Sequence, residues 1–132
     1  MSDPTVAMRA SELILTRKDE LANAVTQVMY IKDPRLIERF GEAGRAKCLQ
    51  DMRYCLEHLA HAVALEDPSL FTRYVGWVES LLAARKIGSG DVRRSLETME
   101  HVIIGRFPPD ETACILACLS AGVLSLSDAI SS

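Results

Sequence analysis

Cys48, Asp51, Cys55 and His58 fall at i, i+3, i+7 and i+10 of a stretch, Ala46 to Leu65, that contains no Gly and no Pro. At helical spacing these four side chains lie along one face of one helix. They place a potential nucleophile, a carboxylate, a second thiol and an imidazole side by side, and nothing else in the chain concentrates as much chemistry. Each also has a plainer reading. A cysteine on a helix face is usually a small buried hydrophobe, a histidine at the edge of an apolar stripe is usually a satisfied core residue, and Asp51 can pair with Lys47 one turn back.

The helix that must position them is legible from its apolar periodicity. Cys48, Met52, Leu56, Leu59 and Val63 form a stripe beside the polar one. Before it, Val6 to Leu15 reads as a first helix. Thr16 is placed to cap a second, about Arg17 to Ile31, which buries Leu21, Ala24, Val25, Val28 and Met29. Asp33-Pro34 signals a restart, with two turns from Pro34 to Phe40 stopped by Gly41, and the central helix then spans about Glu42 to Leu65. Asp67-Pro68 repeats the start signal for Ser69 to Lys86, whose broad apolar face is Leu70, Phe71, Tyr74, Trp77, Val78, Leu81 and Leu82, with Trp77 as a core anchor. Gly88-Ser89-Gly90 reads as a loop, Asp91 to Arg106 as a helix burying Val92, Leu96, Met99 and Ile103. Pro109 to Ile130 reads as a last helix, apolar almost all round and therefore buried between others. No strand signal and no internal repeat occur. The expectation is an all-α domain of about seven helices, residues 1–132 forming a single unit.

Composition removes several function classes. Of 132 residues 48% are hydrophobic and 25% charged, with a formal net charge of −3, which is no nucleic-acid footprint. No apolar run approaches the roughly 18 residues that span a bilayer, so no membrane role is expected. The N-terminal stretch has no basic segment followed by an apolar core, so no signal peptide is expected and a cytoplasmic location is. The four cysteines then read as free thiols, and their spacings match no standard zinc pattern. Cys114 and Cys118, four apart on the last helix, read as core packing. No Gly-rich phosphate loop, no Ser/His/Asp signature and no HExxH motif is present, so no enzymatic turnover is expected.

The run Lys47-Cys48-Leu49-Gln50-Asp51-Met52-Arg53-Tyr54-Cys55-Leu56 resembles the chromophore-attachment helix of phycobiliproteins, where the pattern is roughly Lys/Ala-Cys-x-Arg-Asp-x-x-Tyr-Tyr-Leu-Arg. The likeness continues through the acidic turn and the next two helices, about Arg45 to Ile103. The resemblance implies a globin-like fold, with Cys48 matching the cysteine that carries a linear tetrapyrrole by thioether. Asp51 matches the aspartate that bonds the pyrrole nitrogens, and Tyr54 the first tyrosine. Gln50 stands where the family has an arginine for a propionate, and Cys55 where the second tyrosine would be. Arg45, Lys47 and Arg53 surround the stripe and are the cations available in place of the missing arginine. Light-harvesting subunits are longer and begin with an extra helical pair, so the resemblance implies a compact relative linked to bilin metabolism.

The expected function is binding or carrying a bilin such as biliverdin, phycocyanobilin or phycoerythrobilin. The candidate site comprises Cys48, Asp51, Tyr54, Lys47, Arg45, Cys55 and His58. Haem is a weaker fit, because Ser69 to Lys86 contains no histidine and His58, His61 or His101 would have to serve. The alternative is a cofactor-free sensor or interaction domain. A homodimer is expected from the surplus of apolar surface on the Trp77 helix and the last helix, and a bilin lyase or bilin-biosynthesis enzyme is a further expected partner.

Overall fold

Two Asp-Pro pairs and one glycine punctuate the chain, and the structure, a computed structural model that describes residues 4–126, follows that punctuation. The described residues form six helices and no strand: α1 (Pro4–Thr16), α2 (Lys18–Lys32), α3 (Arg35–Ala64), α4 (Pro68–Ala83), α5 (Ser89–Ile103) and α6 (Pro109–Ser125). The Asp67 side chain accepts a hydrogen bond from the Ser69 backbone N–H at 3.1 Å, with Pro68 in the first turn of α4. Asp33 does the same for the Arg35 N–H at 3.2 Å. Each carboxylate satisfies a backbone donor that the first turn leaves without a partner.

Helix α3 is the hub of this all-α, globin-like arrangement, packing against α1, α2, α4 and α6. Its buried face is Met52, Cys55, Leu56, Leu59, Ala60, Ala62 and Val63. Helix α6 approaches from the other side and touches α1, α3, α4 and α5. The largest fully buried side chains, among them Phe71, Ile14, Leu21, Leu56, Leu59, Met99 and Leu119, come from all six helices and belong to one core cluster. Helices α3 and α5 do not pack side by side, although Arg39 of α3 reaches Asp91 of α5 at 3.5 Å. The space left between them is the groove described below.

Several sequence expectations need correction. There are six helices among the described residues rather than seven or so. Gly41 does interrupt the chain, at φ 69° and ψ −173°, but helix resumes at once, so Arg35–Phe40 and the central segment form one kinked helix. The left-handed φ is open to glycine without strain. Thr16 does not cap α2; it is the last residue of α1, and Arg17 holds the cap position without a side-chain bond. Ser89 and Gly90 belong to α5, which begins after Gly88 in extended conformation. Helix α6 ends at Ser125, and residues 127–130 of the expected helix lie outside the described residues. Trp77 is not a core anchor but is 61% exposed. Phe71 and Val75, on the face of α4 turned to α6, take the core role instead. No helix among the described residues is long and apolar enough to cross a membrane.

The α4–α6 contact is close enough to require a glycine. A Cβ at Gly122 would meet Phe71 Cε2 at 2.5 Å and Val75 Cγ2 at 3.2 Å. Gly122→Ala is therefore expected to destabilise the protein by roughly 1–3 kcal/mol through overpacking, in spite of alanine's better helix propensity. Urea unfolding measures this, and a variant as stable as wild type would show that the two helices separate freely.

Candidate ligand-binding site

The groove between α3 and the α4–α5 wall has a volume of about 500 Å³, within the roughly 300–1,000 Å³ range of small-molecule sites. From α3 come Lys47, Cys48, Asp51, Met52, Tyr54, Cys55 and His58, and from α4 Tyr74, Val75, Trp77, Val78, Leu81 and Leu82. Arg85 and Ile87 follow from the connection, and Val92, Arg94 and Leu96 from α5. Leu36 and Phe40, on the segment preceding the Gly41 kink, also line it, as do Met29 and Tyr30 of α2. The lining is mostly apolar, with one carboxylate and one reachable thiol on α3 and cations toward both walls.

Cys48 is partly buried against the core. Burial pushes its thiol up, with the Thr26 hydroxyl and Arg45 pulling down and Asp51 pushing up. The resting thiol is therefore protonated at neutral pH, and its nucleophilic form needs a base or a higher pH. Asp51 is also half-buried; burial raises its carboxyl above the ordinary value, while Lys47, at 3.6 Å, and Arg85 oppose that shift. Cys55 is fully enclosed, its thiol pushed up to about 12 by burial, with Asp51 adding to the effect. It serves the groove as a small apolar wall residue rather than as a second nucleophile. The His58 ring stacks on Tyr74 at 4.0 Å, and Tyr74 lies 6.1 Å from Phe71 and 6.2 Å from Trp77. Burial raises the Tyr74 hydroxyl well above its ordinary value, so it stays neutral.

The sequence candidates thus separate. Lys47, Cys48, Asp51, Tyr54, Cys55 and His58 share the groove. Arg45 does not line it: its guanidinium lies over the Tyr30 ring at 5.2 Å and borders a second, smaller cavity. Arg53 turns to α2 and binds Asp19 at 2.9 Å. Gln50 lies outside the groove, its amide 3.5 Å from the Tyr54 hydroxyl. Of the three histidines only His58 lines the groove; His61 is exposed, and His101 lies with Nδ1 2.8 Å from the Glu97 carbonyl. Among the described residues no three His, Cys, Asp or Glu side chains cluster as a metal site.

A model of the phycobilisome protein family matches residues 1–121. The chain belongs to that family. Comparison with curated proteins gives no match. Phycobilisome proteins are pigment proteins that bind linear tetrapyrroles covalently, harvest light and assemble into phycobilisomes.

The donor set of the groove fits such a pigment. An extended conjugated molecule with carboxylate side chains and pyrrole nitrogens calls for an apolar trough, one anion near its middle, cations at the rim and a thiol in reach. Met52, Val75, Val78 and Leu82 supply the trough, Asp51 the α3 anion, Cys48 the thiol, and Lys47, Arg85 and Arg94 the cations, Arg94 being paired with Asp91, a second carboxylate of the lining. Arg85 and Arg94 were missed by reading the sequence. Arg85 follows the end of α4 and Arg94 sits in the second turn of α5, each far in sequence from the Cys48 stripe. Their only sequence signal is the basic content of the segment joining the two helices, which by itself reads as solvated surface.

Asp51 sets stability against ligand chemistry. Because its folded-state pKa is raised, the folded protein holds the proton more tightly than the unfolded chain. The ionised carboxylate then opposes folding above that raised pKa, and the penalty disappears below the ordinary value of about 3.9. Asp51→Asn is expected to raise the melting temperature of the unliganded protein at pH 7, with the gap closing as the pH falls toward the ordinary carboxylate range. Thermal unfolding at pH 7 and at pH 4.5 reads this. A loss of stability at pH 7 would mean that the pairing with Lys47 and Arg85 outweighs burial.

Proposed function

We propose that this protein is a bilin carrier that holds its ligand in the α3–α5 groove through Cys48 and Asp51. The observation that supports it is the pair itself, a thiol and a carboxylate three residues apart, both opening into an apolar trough rimmed by cations. A bound bilin supplies a conjugated absorber and an exocyclic carbon–carbon double bond, across which a thiol S–H adds without oxidant or reductant. Cys48 provides that thiol. Asp51 accepts from ring nitrogens and, as an anion in a half-buried position, favours the protonated, positively charged ring system. Tyr74 and Trp77 offer aromatic faces, with His58 stacked behind the Tyr74 ring. Lys47, Arg85 and Arg94 face the carboxylates, in place of the arginine that Gln50 replaces. The proposed role is carriage of a pigment rather than its conversion.

The two central residues have separable effects. After incubation with biliverdin or phycocyanobilin, Cys48→Ser is expected to abolish zinc-enhanced fluorescence on a denaturing gel while leaving non-covalent binding. Asp51→Asn is expected to keep the thioether but weaken the red absorption band and make it pH-sensitive near neutrality, because removing a buried ion-pair partner costs on the order of a few kcal/mol. Leu49→Ala, one residue round α3, controls for general destabilisation. A wild-type protein that takes up no bilin, or variants whose binding and spectrum equal wild type, would leave a cofactor-free interaction domain as the reading.

The rim cations are tested by ligand chemistry. Arg85→Ala is expected to weaken binding of biliverdin roughly two- to five-fold, as for an exposed ion pair, and to leave binding of its dimethyl ester unchanged. Absorbance titration of both ligands at low salt measures the difference. Equal losses for acid and ester would remove Arg85 from the role of carboxylate partner.

A further inference from the structure

Behind Cys48, on the side away from the groove, lies Thr26 of α2. It is 3% exposed. The buried hydroxyls of α5 bond back to their own helix: Ser95 to the Val92 carbonyl at 2.8 Å, Thr98 to the Arg94 carbonyl at 2.7 Å. That back-bonding is the usual outlet for a hydroxyl inside a helix. Thr26 does not use it. Among the described residues, Thr26 Oγ1 and Arg93 Nε are the buried side-chain polar atoms that lack a hydrogen-bond partner. A buried hydroxyl without a partner is unfavourable and calls for a reason. Thr26 shares a cavity of about 210 Å³ with Arg45, Ala46 and Leu49, the α3 residues on either side of Cys48, and its hydroxyl interacts with the Cys48 thiol without reaching full hydrogen-bond geometry.

We propose that Thr26 is a positioning residue for Cys48: its buried hydroxyl, not bonded to its own helix, donates to the sulfur once the thiol ionises and holds the thiolate directed at the groove. This rests on Cys48 being the attachment thiol, and it supplies what that reading lacks, a means of ionising a sulfur that burial keeps protonated. A hydroxyl donor to a thiolate favours the charged form. The other groups around the sulfur divide. Arg45 on α3 favours the thiolate and Asp51 opposes it. Tyr30 on α2 is held neutral by burial, with Cys48 adding to that effect. On the α4–α5 side Arg85 acts on Asp51.

Alkylation by iodoacetamide tests this without any bilin. The thiol proton passes to buffer, the thiolate forms the C–S bond, and iodide leaves with the broken C–I bond. Mass spectrometry of the Cys48 peptide gives the rate against pH. Thr26→Val, of the same shape without the hydroxyl, is expected to slow alkylation roughly ten-fold at pH 7, equivalent to a rise of about one pKa unit, and to converge with wild type at high pH. Thr26→Ser is expected to restore the wild-type profile. Protection of buried Cys55 reports that each variant is folded, and Thr26→Ala is read in place of a Val variant that is not. Superimposable profiles for wild type and Thr26→Val, or a Thr26→Ser variant as slow as Thr26→Val, would overturn the proposal. Bilin uptake is scored separately. The expected shift in a protein that takes up no bilin keeps Thr26 in its role toward the thiol and removes the ligand reading.

Discussion

The burial of one face of α3 is the constraint on which the rest of this structure depends. Met52, Leu56, Leu59 and Val63 are packed from both sides, by α1 and α2 and by α4 and α6. Burying a side chain of this size contributes roughly 1.5–3 kcal/mol relative to leaving it exposed, and that sum fixes the rotation of the helix about its axis. Once the rotation is fixed, so is the direction of everything else on α3. Cys48 and Asp51, offset from the buried stripe, must open toward the gap between α3 and α5.

The gap persists because the neighbouring helices have better partners. Helix α5 packs chiefly on α2 and α6 and buries Val92, Leu96, Met99 and Ile103, with Val92 and Leu96 also forming part of the groove wall. Helix α4 places Phe71 and Val75 against α6 and leaves Trp77 and Leu81 at the groove rim. With α3 and α5 not packed face to face, an apolar trough stays open beside the Arg39–Asp91 ion pair. A helix that paired its aromatic residues with the core would have closed it. Trp77 is therefore informative by being outside: a large exposed apolar side chain beside a cavity is more consistent with ligand contact than with fold stability.

The polar groups in that trough are held under opposing pressures. Burial disfavours both the thiolate of Cys48 and the carboxylate of Asp51, and a carboxylate next to a thiol disfavours the second negative charge further. Lys47 and Arg85 counter the first effect at Asp51, and Arg45 and Thr26 counter it at Cys48. A site of this kind is less stable than an all-apolar wall would be, and a cationic ring system with carboxylate arms relieves each of its tensions at once. That complementarity, more than any single contact, supports the proposed reading of the groove as a pigment site.

The sequence by itself determined the all-helical class and the buried stripe of α3. Periodicity marked Met52, Leu56, Leu59 and Val63, the Asp-Pro pairs marked two starts, and Gly41 marked an interruption, read as a helix stop where the structure has a kink, because these signals are local and act within one or two turns. It also determined that Cys48, Asp51, Cys55 and His58 share a face, since i, i+3, i+7 and i+10 spacing is a property of the helix alone. Only the tertiary structure decided which residues complete the site. Arg45, Lys47 and Arg53 are indistinguishable in a sequence, yet Arg45 stacks on Tyr30, Arg53 pairs with Asp19 and only Lys47 enters the groove. Arg85 enters it from the α4–α5 connection and Arg94 from α5, and Thr26 meets the back of Cys48 from α2. The exposure of Trp77 was likewise a matter of which face of α4 found α6 first. Such pairings depend on how rigid helices cross, and no spacing within a single helix encodes the partner it will meet.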